Sequence, residues 1–380
     1  MVRKKLVLFL FLIPSLLLTA TSCWDRIEIE DRAIIIGMAM DLAEDEEKIV
    51  VTFQIAQPRA YVAESQGSVE GYYNVTKTAE DLAGARNKLS RSINTIPTLE
   101  QCQVVLVGDK LAQKGLSNYM DFLLRTNEAR RQLQIGVVEG LARHMLEIKF
   151  KSDLAPSFVI SEMMSQNSTY NFRMTDYMSL EKLHTAFIEN NDFILSQIKQ
   201  TGNGLYMAGG AVIKGFKLAG WLSGEEMIGA RFIRGDASSG YLTVDMPSFM
   251  GKKIMLRVYE TKSDFHPEIR DDKLVAVLNL RLEGDIDEIV NSNGNWTSKK
   301  LINQCSTQIE KYVRTIVNDA FHKSRRVYNS EPFRLKEKLK CYYPAYWKAN
   351  SANWDEIYQA AELETNIEVN IRRVGEIRSP

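Results

Sequence analysis

The 380-residue chain is short of the residues from which catalytic and metal sites are usually built, with four His and four Cys. Four cysteines at this length exclude a disulfide-stapled scaffold, and four scattered histidines leave little material for a metal centre. There is no excess of either charge, because 48 Lys and Arg balance 48 Asp and Glu. That balance argues against a partner recognised through its phosphate backbone, so no nucleic acid is expected. Gly-x-Ser-x-Gly, His-Glu-x-x-His, a Walker A loop and Cys-x-x-Cys are all missing. His144, His184, His266 and His322 each lack a local partner of the kind that positions a catalytic base. No catalytic, metal or cofactor residue is therefore expected. What remains is an ordinary globular composition, 45% hydrophobic and 25% charged, which excludes disorder and collagen-like repeats and suits about two or three domains.

The N-terminus is the most telling segment. Arg3, Lys4 and Lys5 precede an apolar run from Leu6 to Leu18, followed by Thr19-Ala20-Thr21-Ser22-Cys23. The run falls short of the roughly 20 apolar residues a spanning helix needs and reads as a secretory signal peptide over residues 1–22. Small residues before a cysteine suit a lipoprotein signal peptidase, and Cys23 is the expected lipidation site, although Ala20 stands where a lipobox more often has Leu. Two acyl chains on one sulfur hold stably, at about 0.8 kcal/mol per buried methylene. An uncleaved hydrophobic anchor would also tether the chain. The remaining Cys102, Cys305 and Cys341 allow at most one disulfide, and Cys305 lies on the apolar stripe of an expected helix, as a buried thiol.

Residues 33–41 and 48–57 read as a strand hairpin around the acidic turn 42–47; Ile49, Val51, Phe53 and Ile55 alternate with their neighbours. Residues 61–71 read as an exposed loop. Thr78 and Asp81 suggest a capping box opening a helix to about Ile93. A strand at 103–108, a helix at 110–125 and a strand at 133–139 follow. Residues 140–200 look mostly helical, interrupted by the polar stretch 161–170. Gly202, Gly204, Gly209 and Gly210 mark a change of regime, after which strands are expected at 210–216, 227–233, 240–246, 253–261 and 274–283. A long amphipathic helix over 298–322 and a strand at 364–372 complete the pattern. The expected fold is multi-domain α+β, with mixed sheets and packed helices. Residues 23–204 form an N-terminal α/β region, and residues 205–380 an antiparallel-rich sheet covered by one long helix.

Four stretches carry a resemblance. They are Cys23-Trp24-Asp25-Arg26 followed by Ala33 to Gly37 and Asp41; Val107-Gly108 through Gly115-Leu116 to Asp121-Phe122-Leu123-Leu124-Arg125; Gly210 to Lys214 with Leu218 to Leu222 and Glu225-Glu226; and Pro344-Ala345-Tyr346-Trp347-Lys348 with Trp354. In this order they resemble the Ger(x)C family, the C-type lipoproteins of spore germinant receptors. One stretch departs from the family pattern: Ser330-Glu331-Pro332-Phe333-Arg334-Leu335 stands where a glycine-rich segment is common. The resemblance implies a non-enzymatic subunit, lipid-anchored through Cys23 at the outer face of the spore inner membrane. Its partners would be A-type and B-type membrane subunits, in a receptor that senses nutrients. It also implies three domains, which leaves residues 23–204 open to a further division.

Other features have plain structural readings. Trp347 and Trp354 suit a core plug or a ligand-stacking pair, and Trp24 either rests at headgroup level or packs on the first domain. The basic group His322, Lys323, Arg325 and Arg326 complements a helix C-terminus or meets acidic lipid headgroups. The turn 44–47 reads as solvated. The alternative function is a tethered lipoprotein that captures a solute for a permease, which requires a cleft between two similar lobes.

Overall fold

The computed structural model describes residues 28–57, 71–152, 154–202, 204–245, 253–290 and 299–374. The signal peptide, Cys23, Trp24 and residues 61–70 of the expected 61–71 loop lie outside these residues.

The N-terminal part contains β1 (Arg32–Leu42), β2 (Ile49–Ala56), β3 (Tyr72–Ala79), α1 (Leu82–Ser90), β4 (Ile96–Thr98), β5 (Val104–Gly108), α2 (Asp109–Lys114), α3 (Ser117–Arg125) and β6 (Gln134–Val138). It continues through a 3-10 turn (Ala142–Glu147), α4 (Pro156–Tyr170), β7 (Met178–Ser179), α5 (Leu180–Glu189), β8 (Phe193–Thr201), β9 (Gly204–Lys214) and β10 (Lys217–Leu222). These strands form one ten-stranded mixed sheet in the order β10-β9-β8-β6-β5-β1-β2-β3, with β4 beside β1 and β7 beside β6. The central strands β1, β5, β6 and β8 are parallel. All five residues of β5 and of β6 are buried, as parallel strands with both faces covered must be. One face carries Leu82, Leu89, Leu111, Met120 and Leu183 from α1, α2, α3 and α5. The other carries Met145, Leu146, Ile160 and Met164 from the 3-10 turn and α4.

The C-terminal part contains α6 (Gly224–Arg234), β11 (Gly240–Asp245), β12 (Lys253–Arg270), β13 (Lys273–Val290), α7 (Lys299–His322), α8 (Leu335–Tyr342), α9 (Pro344–Asn350), α10 (Trp354–Ala360) and β14 (Glu362–Val374). Its four-stranded sheet has the order β11-β12-β13-β14. β14 is parallel to β13 and the other pairs are antiparallel. Cys305, Ile309, Val313, Ile316, Val317 and Ala320 of α7 pack on Leu256, Leu278 and Leu282 of the sheet, so the long amphipathic helix covers the sheet as its periodicity predicts. The chain is mixed α+β, as expected.

Several local expectations give way. Residues 227–233 are helix and not strand: all of them are buried in α6, so no polar face interrupts the apolar run to reveal a period of 3.6. Thr78 stays in β3; Asp81 alone caps α1, accepting from the Gly84 amide at 2.6 Å. That helix ends at Ser90, and the expected 110–125 helix is broken at Gly115, whose φ is 139°. The polar stretch 161–170 continues α4, and 193–201 is strand, paired in parallel with β6. Residue 205 lies inside β9, which pairs with β8, so the first sheet continues through β10 and the two sheets part after Leu222.

Candidate functional site at the seam between the sheets

The two sheets are joined along β10, the start of β8 and the segment that follows α7. After His322 the helix widens into one π-helical turn, Lys323–Val327, the kind of local rewinding that re-aims side chains. It presents Tyr328 to the open edge of β10. The Tyr328 hydroxyl donates to the Trp221 carbonyl at 2.8 Å and accepts from the Trp221 amide at 3.0 Å. The ring packs against Gly220, where a Cβ would come within 2.2 Å of it. Lys323 reaches Glu226 at 2.7 Å, and Glu226 also closes the capping box of α6 with Ser223. Farther along α6, Gly229 meets the backbone of α7: a Cβ there would stand 2.1 Å from the Ile316 carbonyl oxygen.

The next turn carries two carboxylates from opposite halves. Asp192, just before β8, accepts from the Ser330 hydroxyl and the Glu331 amide, both at 2.9 Å. Glu331 is 7% exposed and turns back to accept from the amides of Phe333, Leu335 and Lys336 at 2.9, 2.9 and 3.1 Å. It thereby satisfies the free donors at the start of α8. Burial pushes the Glu331 carboxyl up to about 7; the three amides oppose that shift and Asp192 adds to it. Beside it Tyr358 is fully buried and its hydroxyl is without a hydrogen-bond partner among the described residues. Burial holds that phenol well above its ordinary range. Arg325 donates to the Gln359 carbonyl at 3.2 Å and to the Ala361 carbonyl.

A third fixing is Arg231 of α6, 3% exposed. It donates to the Asn171 and Met174 carbonyls at 3.1 and 3.0 Å and to Asp236 at 3.0 Å. Between these fixings lies a cleft of about 460 Å³. Its charges are engaged with one another: Arg334 with Glu337 at 2.8 Å, Arg234 with Asp236, and Lys182 with Asp176. Such an arrangement locks two bodies together; it does not set a nucleophile beside a base.

The residues singled out from the sequence serve as joints. Asp41 of β1 is 1% exposed and caps the 3-10 turn, accepting from the Ala142 and Arg143 amides at 2.6 and 3.0 Å. It packs so closely on β5 that a Cβ at Gly108 would meet it at 2.4 Å. Asp121 and Arg125 form an exposed pair at 2.7 Å on α3. Lys214 bridges to Asp355 at 2.8 Å. Trp347 and Trp354 belong to different helices, α9 and α10; their rings meet at 5.6 Å, and both pack on the C-terminal core. His266 lies between Asp264 and Glu268, while His184 and His322 are exposed. Cys102 and Cys305 are buried free thiols and Cys341 is exposed. Among the described residues no group of His, Cys, Asp and Glu is placed to hold a metal ion, and no helix is long and apolar enough to cross a membrane. Asp192, Glu331 and Tyr328 went unmarked in the sequence, apart from the departing stretch 330–335, which proves to be the seam itself.

Two family models divide the chain between them. Residues 25–200 match the spore germination protein N-terminal domain, and residues 208–375 match the spore germination B3/GerAC-like C-terminal domain. The chain belongs to the Ger(x)C family. Among curated proteins of Bacillus subtilis (strain 168), it is 24% identical to spore germination protein YndF over 99% of this chain and 98% of that one. It is 23% identical to spore germination protein B3 over 95% and 96% of the two chains. Among solved structures it shares its fold with the GerBC protein, at a TM-score of 0.59 and 18% identity over 88% of this chain and 97% of that one. The first of the four stretches straddles the start of the N-terminal match, and the second lies within it. The remaining two lie within the C-terminal match.

Proposed function

We propose that this Ger(x)C chain is the lipid-anchored C-type subunit of a nutrient germinant receptor. It is tethered by Cys23 at the outer face of the spore inner membrane, beside A-type and B-type membrane subunits. It acts by holding and presenting surface, without catalysis. The observation that carries this reading is the seam: its buried polar groups fasten one half of the chain to the other. The germination roles in the names of its full-length relatives support the same reading. Tethering raises the effective concentration of the folded body next to membrane partners, so modest contacts persist. The unlike architectures of the two halves, ten strands against four, weigh against a solute-capturing lipoprotein with two similar lobes.

The test is Cys23→Ala in sporulating cells. Loss of the protein from the membrane fraction together with loss of germination supports the reading. Stable membrane retention with normal germination at normal receptor levels defeats it. Co-purification from solubilised membranes, with partners identified by mass, tests the A-type and B-type assignment directly. A saturable heat on titration with amino acids or sugars would instead favour solute capture.

A further inference from the structure

From Arg334 to Lys348 the chain reads Arg334-Leu335-Lys336-Glu337-Lys338-Leu339-Lys340-Cys341-Tyr342-Tyr343-Pro344-Ala345-Tyr346-Trp347-Lys348, five basic residues to one acidic, with four aromatics. Tyr342 is 60% exposed, Cys341 and Lys348 are exposed, and Tyr343, Tyr346 and Trp347 are only partly buried. Lys340 sits 5.0 Å above the Trp347 ring. Rings with one wet edge beside long cationic side chains suit the headgroup layer of a bilayer.

The strand register says where this surface lies. β1, β5, β6 and β8 are parallel, so their first residues share one end of the sheet. The chain enters β1 at that end, through Ile29, which is 65% exposed; Ile96, opposite Arg32 in β4, is 51% exposed there too. Asn190 and Asp192 precede β8 at the same end. They hold α8: Lys336 donates to the Asn190 carbonyl at 2.7 Å, and Asp192 takes the 330–331 turn. Cys23 stands five residues before Glu28, a reach of at most about 18 Å at roughly 3.5 Å per residue. An anchor at Cys23 therefore brings the bilayer to the sheet end at which α8 begins, and α9 lies near it: Lys214, next to the Ile213 that faces Phe193, holds Asp355 of α10, and Trp354 of α10 meets Trp347 of α9.

We propose that α8 and α9 form a second membrane contact, in which Lys340, Tyr342, Trp347 and Lys348 seat on an anionic phospholipid surface. The proposal rests on the lipid-anchor reading for its orientation. Acidic residues border the patch at Asp271 and Asp272 of the β12–β13 turn, where the Asp272 carbonyl accepts from the Tyr346 hydroxyl; the contact therefore centres on α8 and the start of α9, away from that turn.

Cys341 makes the test direct, because Cys102 and Cys305 are buried. The protein, purified from its own membranes, is nitroxide-labelled at Cys341. It is then reconstituted in vesicles of phosphatidylcholine, with or without 30 mol% phosphatidylglycerol. Thr201→Cys in a Cys341→Ser background reports the opposite end of β8. Collision of the 341 label with a water-soluble nickel complex is expected to fall several-fold on the anionic vesicles relative to detergent, while the 201 label is unchanged. Lys340→Glu with Lys348→Glu is expected to restore collision, since losing two cations weakens such a contact about 30-fold; an unchanged 201 label and thermal midpoint show that this variant is folded. A 341 label open to nickel in vesicle-bound protein overturns the proposal, as does equal shielding in the charge-reversed variant or on pure phosphatidylcholine. The mass of the N-terminal peptide reports Cys23 separately: an unmodified cysteine with a shielded 341 label sinks the anchor and leaves the docking surface standing.

Discussion

Tyr328 completes the hydrogen bonding of Trp221 with a single oxygen, donating to its carbonyl and accepting from its amide. A side chain thus stands in for the strand that β10, the last strand on its side of the sheet, does not have. The same contact joins the C-terminal half to the first sheet. Gly220 has to be bare for the ring to lie there.

Tyr328→Phe is expected to lower stability by about 1–2 kcal/mol, because two backbone groups lose their partner at a seam where water replaces it poorly. Gly220→Ala is expected to cost about 1–3 kcal/mol by pushing against the ring. The two sites should couple: in the Tyr328→Ala background the ring is gone and the penalty of Gly220→Ala shrinks. Urea titration of the four proteins of this cycle measures the coupling. Simple additivity would show that the contact does not hold the seam.

Gly229→Ala tests the packing of α6 on α7. In an open helix that change adds about 1 kcal/mol of stability, but here the new methyl meets the Ile316 carbonyl oxygen. Backbone cannot rotate away as a flexible side chain can, so a net loss of about 1–3 kcal/mol is expected. A rise in the thermal midpoint would contradict this helix contact.

Asp41→Ala is expected to leave the Ala142 and Arg143 amides without acceptors, at about 1–3 kcal/mol each. Asn at this position keeps one acceptor oxygen and should fall between Ala and Asp. Hydrogen exchange localised to residues 142–147 would read the loosened turn. Unchanged protection there in Asp41→Ala would refute the capping role.

The strands of the buried centre were legible because alternation or a continuous apolar run marks them, as in β2 and β5, and α7 was legible because its stripe is clean over its whole length. α6 was not, since Gly229 and Arg231 are buried along with Met227, Ile228, Phe232 and Ile233, and burial on every side erases the period that separates helix from strand. β8 was hidden for a related reason: Gln197 and Ser196 are buried polar residues inside an apolar strand. The seam was the least legible part. Asp192 and Glu331 are far apart in sequence, each an ordinary acidic residue by composition, and only folding brings them to one turn. The departing stretch 330–335 was the single trace of it, a place where the chain keeps Glu and Pro because the Glu caps α8.

Glu331 makes the seam pH-dependent, and the sign follows from its partners. Burial, with Asp192 adding to it, raises the folded carboxyl to about 7 from an ordinary 4.5, while the amides of Phe333, Leu335 and Lys336 hold it back from rising further. The other groups facing it are Tyr358, Arg334 and Lys336; hydrogen bonding to Glu337 shifts the Arg334 guanidinium upward, while burial and Lys340 shift the Lys336 ammonium downward. Between pH 4.5 and 7 the folded chain then binds more protons at this site than the unfolded chain does. Stability from Glu331 is therefore fully present below its unfolded value and is lost as pH rises through about 7. Asp41, also raised by burial, contributes with the same sign, but from an ordinary value of 3.8 it acts at the acid end of the range. Glu331→Gln has no proton to release, so it should flatten the fall in urea midpoint between pH 5.5 and 8. It should also weaken the cap of α8, because a single amide oxygen replaces two carboxylate oxygens. A wild-type midpoint that rises with pH across this window, or a Gln variant that keeps the full slope, would show that the buried carboxyl does not control the seam.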